Sequence, residues 1–145
     1  MKFVLLGIRL VLGAIFVAAA YSKIRYPTFF AYSLAAYEFL PDNLVTLVAV
    51  TLPWIELLTG LALLLGVATR TCATIAFCLY IGFILAMLSA LFRGLEVNCG
   101  CYTGWSPADW SKVVLDIVLV AACWALMAKG PGAFTLRGDQ SSLDS

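Results

Sequence analysis

Long apolar runs alternate with short polar segments along the chain, and four of the runs are long enough to cross a membrane. A spanning helix needs about 20 mostly apolar residues to cross a hydrocarbon core of about 30 Å. The runs cover about Phe3 to Tyr21, Leu44 to Val67, Thr71 to Phe92 and Trp110 to Met127. Lys, Arg, Tyr or Trp bracket each run, and these residues favour the headgroup depth of a bilayer. The pattern therefore predicts an all-α integral membrane protein with a four-helix bundle.

A shorter amphipathic stretch separates the first two runs. From Tyr26 to Leu40, large apolar residues alternate with small or polar ones, and Pro27 stands where a first helical turn would begin. We expect a short interfacial helix here. A turn at Pro41-Asp42-Asn43 should follow, because proline disfavours a helical residue before it and Asp or Asn caps the next helix. The connection from Arg93 to Asp109 is long, polar and rich in glycine, which is typical of exposed functional loops.

The pattern predicts one transmembrane domain over residues 1–129 and a disordered polar tail over 130–145, since the tail's Pro, Gly, Asp and Ser cannot bury a core. Four spans put both termini on one side of the membrane. The flanking basic residues do not decide the orientation, because the terminal side has Lys2, Arg70, Lys129 and Arg137 and the other side Lys23, Arg25, Arg93 and Lys112. Acidic residues on the second side favour cytoplasmic termini, which would make the Cys99-Gly100-Cys101 loop face the periplasm or exterior.

Composition supports the membrane assignment and excludes several functions. The 145 residues are 63% hydrophobic and 12% charged, against roughly 45–50% apolar and about 25% charged in soluble domains. The mean hydropathy is +1.02. A net charge of +1 provides no cationic surface for nucleic acid. The chain contains no histidine, which excludes His-ligated haem and Ser-His catalysis.

Three ionisable residues lie inside the predicted spans. These are Arg9, Glu56 and Asp116. A charge at the centre of a span costs about 2.5–3.5 kcal/mol even on lenient scales, so such residues usually face the bundle interior and pair. Antiparallel first and second helices predict an Arg9–Glu56 pair, with Asp116 meeting Glu56 or an inward-reaching Lys23. The pair could simply fix helix register, or the three residues could form a polar column that moves protons or positions a redox partner.

Pro53 and Trp54 lie close to Glu56 in the second span. Proline cannot donate to the helix ladder, so a kink or a freed carbonyl is expected beside the carboxylate. Proline is also common in membrane helices, and this explanation stays open. Trp54 could face lipid or pack inside the bundle.

Five cysteines occur, and three of them fall in predicted spans, namely Cys72, Cys78 and Cys123. We expect these three to act as small hydrophobic residues in the helical core. Two sulfurs in one loop, without histidine, cannot complete a four-coordinate metal shell. No metal site is therefore predicted.

The remaining two cysteines, Cys99 and Cys101, flank Gly100 in the long polar loop. Gly100 has the backbone freedom that a small disulfide ring needs, and such a ring would be strained. Strained or exposed disulfides tend to be labile or catalytic. Lys23 and Arg93 are predicted neighbours at the same surface, where positive charge would favour the thiolate. A permanent loop staple, or two thiols that are merely adjacent, are the alternatives.

These landmarks resemble the DoxX-like superfamily of four-helix membrane proteins, and in particular its methylamine-utilisation MauE-like branch. The resemblance spans about Arg9 to Asp116 and rests on three ordered groups of residues: Arg9, Gly13 and Lys23; Leu52-Pro53-Trp54-Ile55-Glu56 with Gly60; and Arg93-Gly94 leading into Cys99-Gly100-Cys101. In that family Phe-Gly commonly follows the Cys-Gly-Cys, whereas Tyr102-Thr103-Gly104 follows here. The departure leaves both thiols intact.

The resemblance implies redox maturation or electron transfer at a bacterial inner membrane. Similar proteins look like helpers of periplasmic disulfide-rich enzyme assembly, or small subunits of quinone-coupled sulfur oxidoreductases. We accordingly expect Cys99 and Cys101 to exchange electrons with a periplasmic thiol protein, and a quinone acceptor near Arg9, Glu56 and Trp54. A different class, a non-catalytic structural or assembly subunit of a larger membrane complex, stays open. A solute transporter is disfavoured, because matching glycine-interrupted helices are not evident.

Overall fold

A computed structural model describes residues 2–38, 40–94 and 109–129. Over these residues the chain forms five helices, which are α1 (Lys2–Arg25), α2 (Pro27–Ala36), α3 (Asp42–Leu65), α4 (Thr69–Phe92) and α5 (Trp110–Lys129). Of the described helices, all except α2 are long and apolar enough to cross a membrane. The predicted all-α membrane fold is therefore confirmed. The predicted tail lies outside the described residues.

The distribution of polar and apolar side chains fits a bilayer as solvent. Large apolar residues lie on the outside of the long helices, with Phe3 76%, Leu58 66% and Val114 59% exposed. The buried side chains include charged ones, with Arg9 and Glu56 each 2% exposed. A soluble domain has the reverse arrangement, since its charged residues are almost never fully buried unless paired. The outer surface of this bundle therefore suits contact with lipid.

Helix α2 begins at Pro27, as the sequence predicts, but ends at Ala36 and not near Leu40. The backbone amides of Tyr37 and Glu38 close the helix by donating to carbonyls of its last turn. Glu38 then adopts a left-handed conformation with φ 51°. This reversal turns the chain into Pro41, which caps the start of α3 in extended conformation. The helix is shorter than predicted because the chain has to turn before Pro41.

The bundle consists of two helix pairs, with α1 packed mainly against α3 and α4 mainly against α5. Gly13 and Gly60 let α1 and α3 approach closely. A Cβ atom built on Gly13 would lie 2.9 Å from the carbonyl oxygen of Gly60, and one on Gly60 would lie 3.0 Å from that of Gly13. Small residues at such crossings allow membrane helices to pack without side chains between their backbones. These two glycines therefore set the separation of α1 and α3.

Helix α3 runs as one helix through Pro53, which is buried. It ends at Gly66, whose φ of 75° is left-handed. The amide of Val67 donates to the carbonyl of Ala62 at 2.9 Å and that of Gly66 donates to Leu63 at 3.2 Å, which is the Schellman pattern of helix termination. This compact ending produces a tight turn into α4, which begins at Thr69.

We predict that Gly60→Ala destabilises the bundle by about 1–3 kcal/mol, the usual cost of overpacking a core. The new methyl group would meet the Cβ of Phe16 and Cγ2 of Val17, both at 2.9 Å, so α1 would have to move away from α3. The free energy of unfolding, measured by denaturant titration in micelles with circular dichroism, checks this.

Gly7→Ala is the matched control, because a Cβ atom at Gly7 meets nothing within 4 Å. Alanine is favoured over glycine inside a helix by about 0.5–1 kcal/mol, so this variant should be neutral or slightly stabilised. Equal stability of the Gly60→Ala and Gly7→Ala proteins would contradict the close crossing of α1 and α3.

Candidate functional site

A buried ion pair joins α1 and α3 inside the membrane-spanning bundle. The Nζ atom of Lys23 lies 2.8 Å from both carboxylate oxygens of Glu56, and each side chain is only 3% exposed. Side chains on a helix tilt towards its N-terminus. Because α1 and α3 are consecutive spans that run in opposite directions, this tilt aims Lys23 and Glu56 at each other.

Two aromatic rings complete the surroundings of the Lys23 ammonium. Nζ lies 5.0 Å from the ring centroid of Phe30 on α2 and 4.9 Å from that of Phe83 on α4. Both distances are within the range in which a cation is attracted to the face of an aromatic ring. Residues from α1, α2, α3 and α4 thus meet at this one positive charge.

Asp116 on α5 belongs to the same site. A cavity of about 30 Å³ is lined by Lys23, Glu56 and Asp116 together with Ile15, Phe16, Ala19, Tyr80 and Phe83. Asp116 is 6% exposed. Its Oδ2 atom is buried and has no hydrogen-bond partner among the residues that the structure describes. The cavity therefore brings one ammonium and two carboxyl groups together.

The structure corrects the predicted pairing of the charged residues. Lys23, and not Arg9, is the partner of Glu56, since both carboxylate oxygens accept hydrogen bonds from it. Arg9 is buried, but it lies a turn before Gly13, which faces Gly60 and Leu64. Its place on α1 is therefore towards the far end of α3 from Glu56. Asp116 lines the same cavity as Glu56 and Lys23.

The structure also shows where three supporting residues lie. Lys23 is 3% exposed, so it is a buried cation and not a surface one. Trp54 is 55% exposed on the outer face of α3 and does not line the cavity that contains Glu56. Pro53 is buried one turn before Glu56 and leaves the helix continuous. The reason is helical geometry, because only one face of α3 can point to α1.

Sequence reasoning missed the aromatic residues of the site. Tyr80 and Phe83 are three positions apart on α4 and both line the cavity, and the Tyr80 ring packs edge-on against Phe16 at 5.2 Å. Helical spacing of these two residues is a signal that they share a face. Nothing in the sequence indicates that this face meets Lys23.

A larger apolar cavity lies on the other side of the Phe30 and Phe83 rings. Its volume is about 240 Å³, and its lining comes from α2, the first half of α3, and α4: Phe30, Ser33, Leu34, Tyr37, Leu40, Val48, Leu52, Cys78, Leu79, Gly82, Phe83 and Ala86. Cys78 on its wall is exposed on the outer side. Ligand pockets typically have about 300–1,000 Å³, so this cleft can hold a ring or a chain segment of a larger amphiphile.

Polar contacts join the ends of α2 and α4 beside Tyr37, which lines this cleft. Arg93 donates to the Glu38 carboxylate at 2.8 Å and to the carbonyl oxygen of Tyr37 at 3.4 Å. The Arg93 side chain is 46% exposed and the Glu38 side chain is 63% exposed. Arg93 is therefore a surface residue, as predicted, with Glu38 as its partner.

The predicted redox cysteines, Cys99 and Cys101, lie outside the described residues. Those residues connect the end of α4 to the start of α5, where Asp109 Oδ1 accepts a hydrogen bond of 2.7 Å from the Trp110 amide. Cys72 and Cys123 are buried thiols, as expected for small hydrophobic residues, whereas Cys78 is exposed. No group of three or more potential metal ligands occurs in the described part of the chain.

We predict that Lys23→Met destabilises the bundle by about 3–5 kcal/mol, because it leaves Glu56 as an unpaired charge in a buried site. The double variant Lys23→Met/Glu56→Leu should recover most of this loss, since apolar groups often replace a buried pair at little cost. Unfolding free energies of the two proteins in micelles, compared with the wild type, check both statements.

Glu38→Gln is the control for the loss of one ion pair. It breaks the exposed pair with Arg93. Exposed pairs contribute about 0–1 kcal/mol, so the free energy of unfolding should change by no more than this. Wild-type stability of the Lys23→Met protein would mean that the ammonium is not what allows Glu56 to be buried.

Comparison with known proteins shows the family to which the chain belongs. The family model described as "Methylamine utilisation protein MauE" matches residues 1–129. A methylamine utilization protein MauE of Paracoccus denitrificans is 31% identical over 133 residues, covering 90% of this chain and 72% of that protein. A methylamine utilization protein MauE of Methylophilus methylotrophus is 31% identical over 137 residues, covering 94% of this chain and 71% of that protein. No solved structure matches the chain significantly. The chain therefore belongs to the MauE family of membrane proteins.

Proposed function

We propose that this protein is a membrane accessory factor of methylamine utilisation that supports the redox maturation of a periplasmic partner by thiol–disulfide exchange at Cys99 and Cys101. The observation that carries the proposal is the Cys-Gly-Cys sequence inside the segment that matches the MauE family. The pathway follows from the relatives, which are methylamine utilisation proteins.

The other cysteines are poorly suited to this chemistry. Cys72 and Cys123 are buried inside the bundle, and Cys78 lies on a wall of the apolar cleft. A protein thiol cannot reach Cys72 or Cys123 without disrupting the helices, and Cys78 is exposed on a membrane-spanning helix, where it faces lipid. By contrast, the connection between α4 and α5 leaves the bundle at the end where Arg93 and Glu38 are exposed. The two remaining cysteines are therefore the best candidates for exchange with another protein.

The proposed exchange conserves atoms and electrons. A thiolate of the partner attacks one sulfur of a Cys99–Cys101 disulfide, and the second partner thiol then resolves the mixed disulfide. The partner gains a disulfide, and Cys99 and Cys101 each gain an electron and a proton as thiols. A ring closed across Gly100 alone would be strained, which favours its role as the oxidant.

We further propose that a membrane quinone restores the disulfide, taking two electrons and two protons from the two thiols to become a quinol. The apolar cleft between α2 and α4 supports this, since its volume of about 240 Å³ and its apolar lining suit a ring that enters from the bilayer. This differs from the position expected from sequence beside Arg9, Glu56 and Trp54. Trp54 faces outwards, and Arg9 does not line the cavity of Glu56.

The proposal needs the cysteine loop on the outer face of a bacterial inner membrane. Helices α1, α3, α4 and α5 alternate in direction, so α2 and the α4–α5 connection lie at one end of the bundle and both termini at the other. With cytoplasmic termini, the loop would face the periplasm, where disulfides persist. The partner would be a periplasmic thiol protein or a subunit of a larger membrane redox complex.

We predict that Cys99 and Cys101 form a disulfide at rest that is accessible from outside the cell. In a Cys72→Ala/Cys78→Ala/Cys123→Ala background, an impermeant mass-tagged maleimide should label neither cysteine before mild reduction and both cysteines after it. Labelling of free thiols in respiring and non-respiring cells alike, or labelling only after permeabilisation, would contradict the proposal.

We also predict that Cys99→Ser/Cys101→Ser fails to restore growth on methylamine in a host deleted for the protein, because no disulfide can be passed on. Its helical content and unfolding in micelles should equal those of the wild type. Cys78→Ser, which changes an exposed thiol of α4, should restore growth. Full complementation by the double variant would instead favour the non-catalytic assembly subunit.

A further inference from the structure

The cavity that joins Lys23, Glu56 and Asp116 contains charges that do not balance when all three groups are ionised. The Lys23 ammonium is engaged by both oxygens of Glu56 at 2.8 Å, so this pair is neutral as a unit. Asp116 on α5 lines the same cavity and would add a second negative charge. No further charged residue of the described chain lines the cavity, and an uncompensated charge there would be costly to bury.

Asp116 also has an unused hydrogen-bonding atom. It is 6% exposed, and no described residue bonds to its buried Oδ2. A proton on Asp116 removes the excess charge and converts that oxygen into a donor. The protonated Asp116 carboxyl group then needs an acceptor, and the cavity has room for a small molecule that provides it.

The size and the lining of the cavity fit a single water molecule. A water molecule needs about 10–15 Å³ of space for its centre and two to four polar partners. The corresponding volume of this cavity is about 30 Å³. Asp116, Glu56 and Lys23 provide polar atoms, while Ile15, Phe16 and Ala19 close the apolar side. Phe83 separates this cavity from the larger apolar cleft, since it lines both.

We propose that this cavity binds one water molecule and that Asp116 takes up and releases a proton there. In the protonated state, the Asp116 hydroxyl donates to the water and the water donates to the Glu56 carboxylate. On release, the proton passes from Asp116 to the water and leaves as hydronium, with no other bond broken. The site goes beyond the redox proposal and does not need Cys99 or Cys101.

The helices around Asp116 contribute the charged and titratable groups near it. Lys23 of α1, Glu56 of α3 and Tyr80 of α4 line the cavity together with Asp116. Lys112 lies one turn before Asp116 on α5.

Infrared difference spectroscopy of the full-length protein in nanodiscs tests the proton site. The wild type should show the carbonyl band of a buried carboxylic acid that disappears reversibly as pH is raised. Asp116→Asn should lack the band. Asp42→Asn, which changes an exposed acidic residue at the start of α3, should keep it. Absence of the band at every pH at which the bundle stays folded would overturn the proposal, as would its survival in Asp116→Asn.

A second variant tests the water. Ala19→Val adds carbon atoms to the cavity wall without removing a polar group, so it should displace the water. In wild-type protein, exchange into H₂¹⁸O should shift a water O–H band that Ala19→Val lacks, and the Asp116 carbonyl band should move in that variant. Identical spectra of the two proteins would overturn the water site. The Cys99→Ser/Cys101→Ser protein should show wild-type bands, which separates this test from the redox proposal.

Discussion

The arrangement of this bundle depends on the need to pair Lys23 with Glu56 away from water. A lipid interior offers neither residue a hydrogen-bond partner, so the two charges have to find each other within the protein. Their bidentate contact at 2.8 Å fixes where α1 lies along α3. The Gly13–Gly60 crossing brings the two backbones close enough for this contact. Helix register and charge pairing therefore specify the same packing.

The ammonium also organises elements beyond its own helix pair. Phe30 brings α2 against it and Phe83 brings α4 against it, each ring about equally distant from Nζ. The cavity with Asp116 lies between the α1–α3 pair and the α4–α5 pair, which contact each other less than the members of each pair do. The charged residues therefore lie where the two halves of the bundle meet, so a relative shift of the halves would change their surroundings.

The sequence predicts the helices well because the physical signal is strong and local. About 20 apolar residues in succession permit little except a spanning helix, and Pro27 marks the start of α2 because its fixed backbone angle suits a first helical turn. The ion pair was harder to predict. Distance along the helix axis suggested Arg9 for Glu56, but the close approach at Gly13 and the tilt of side chains towards helix N-termini favour Lys23. Neither the crossing nor the rotation of α4 that presents Phe83 can be derived from hydropathy.

The separation of Lys23 and Glu56 along the chain has a consequence for biogenesis. The two residues are 33 positions apart, and chains are synthesised at about 5–20 residues per second. Lys23 therefore leaves the ribosome on the order of 2–7 s before its partner exists. During that interval α1 is a hydrophobic segment whose Lys23 has no Glu56 to pair with, which disfavours its full release into lipid. The first helix should consequently stay at the translocon, or at a membrane insertase, until α3 supplies Glu56 as the partner of Lys23.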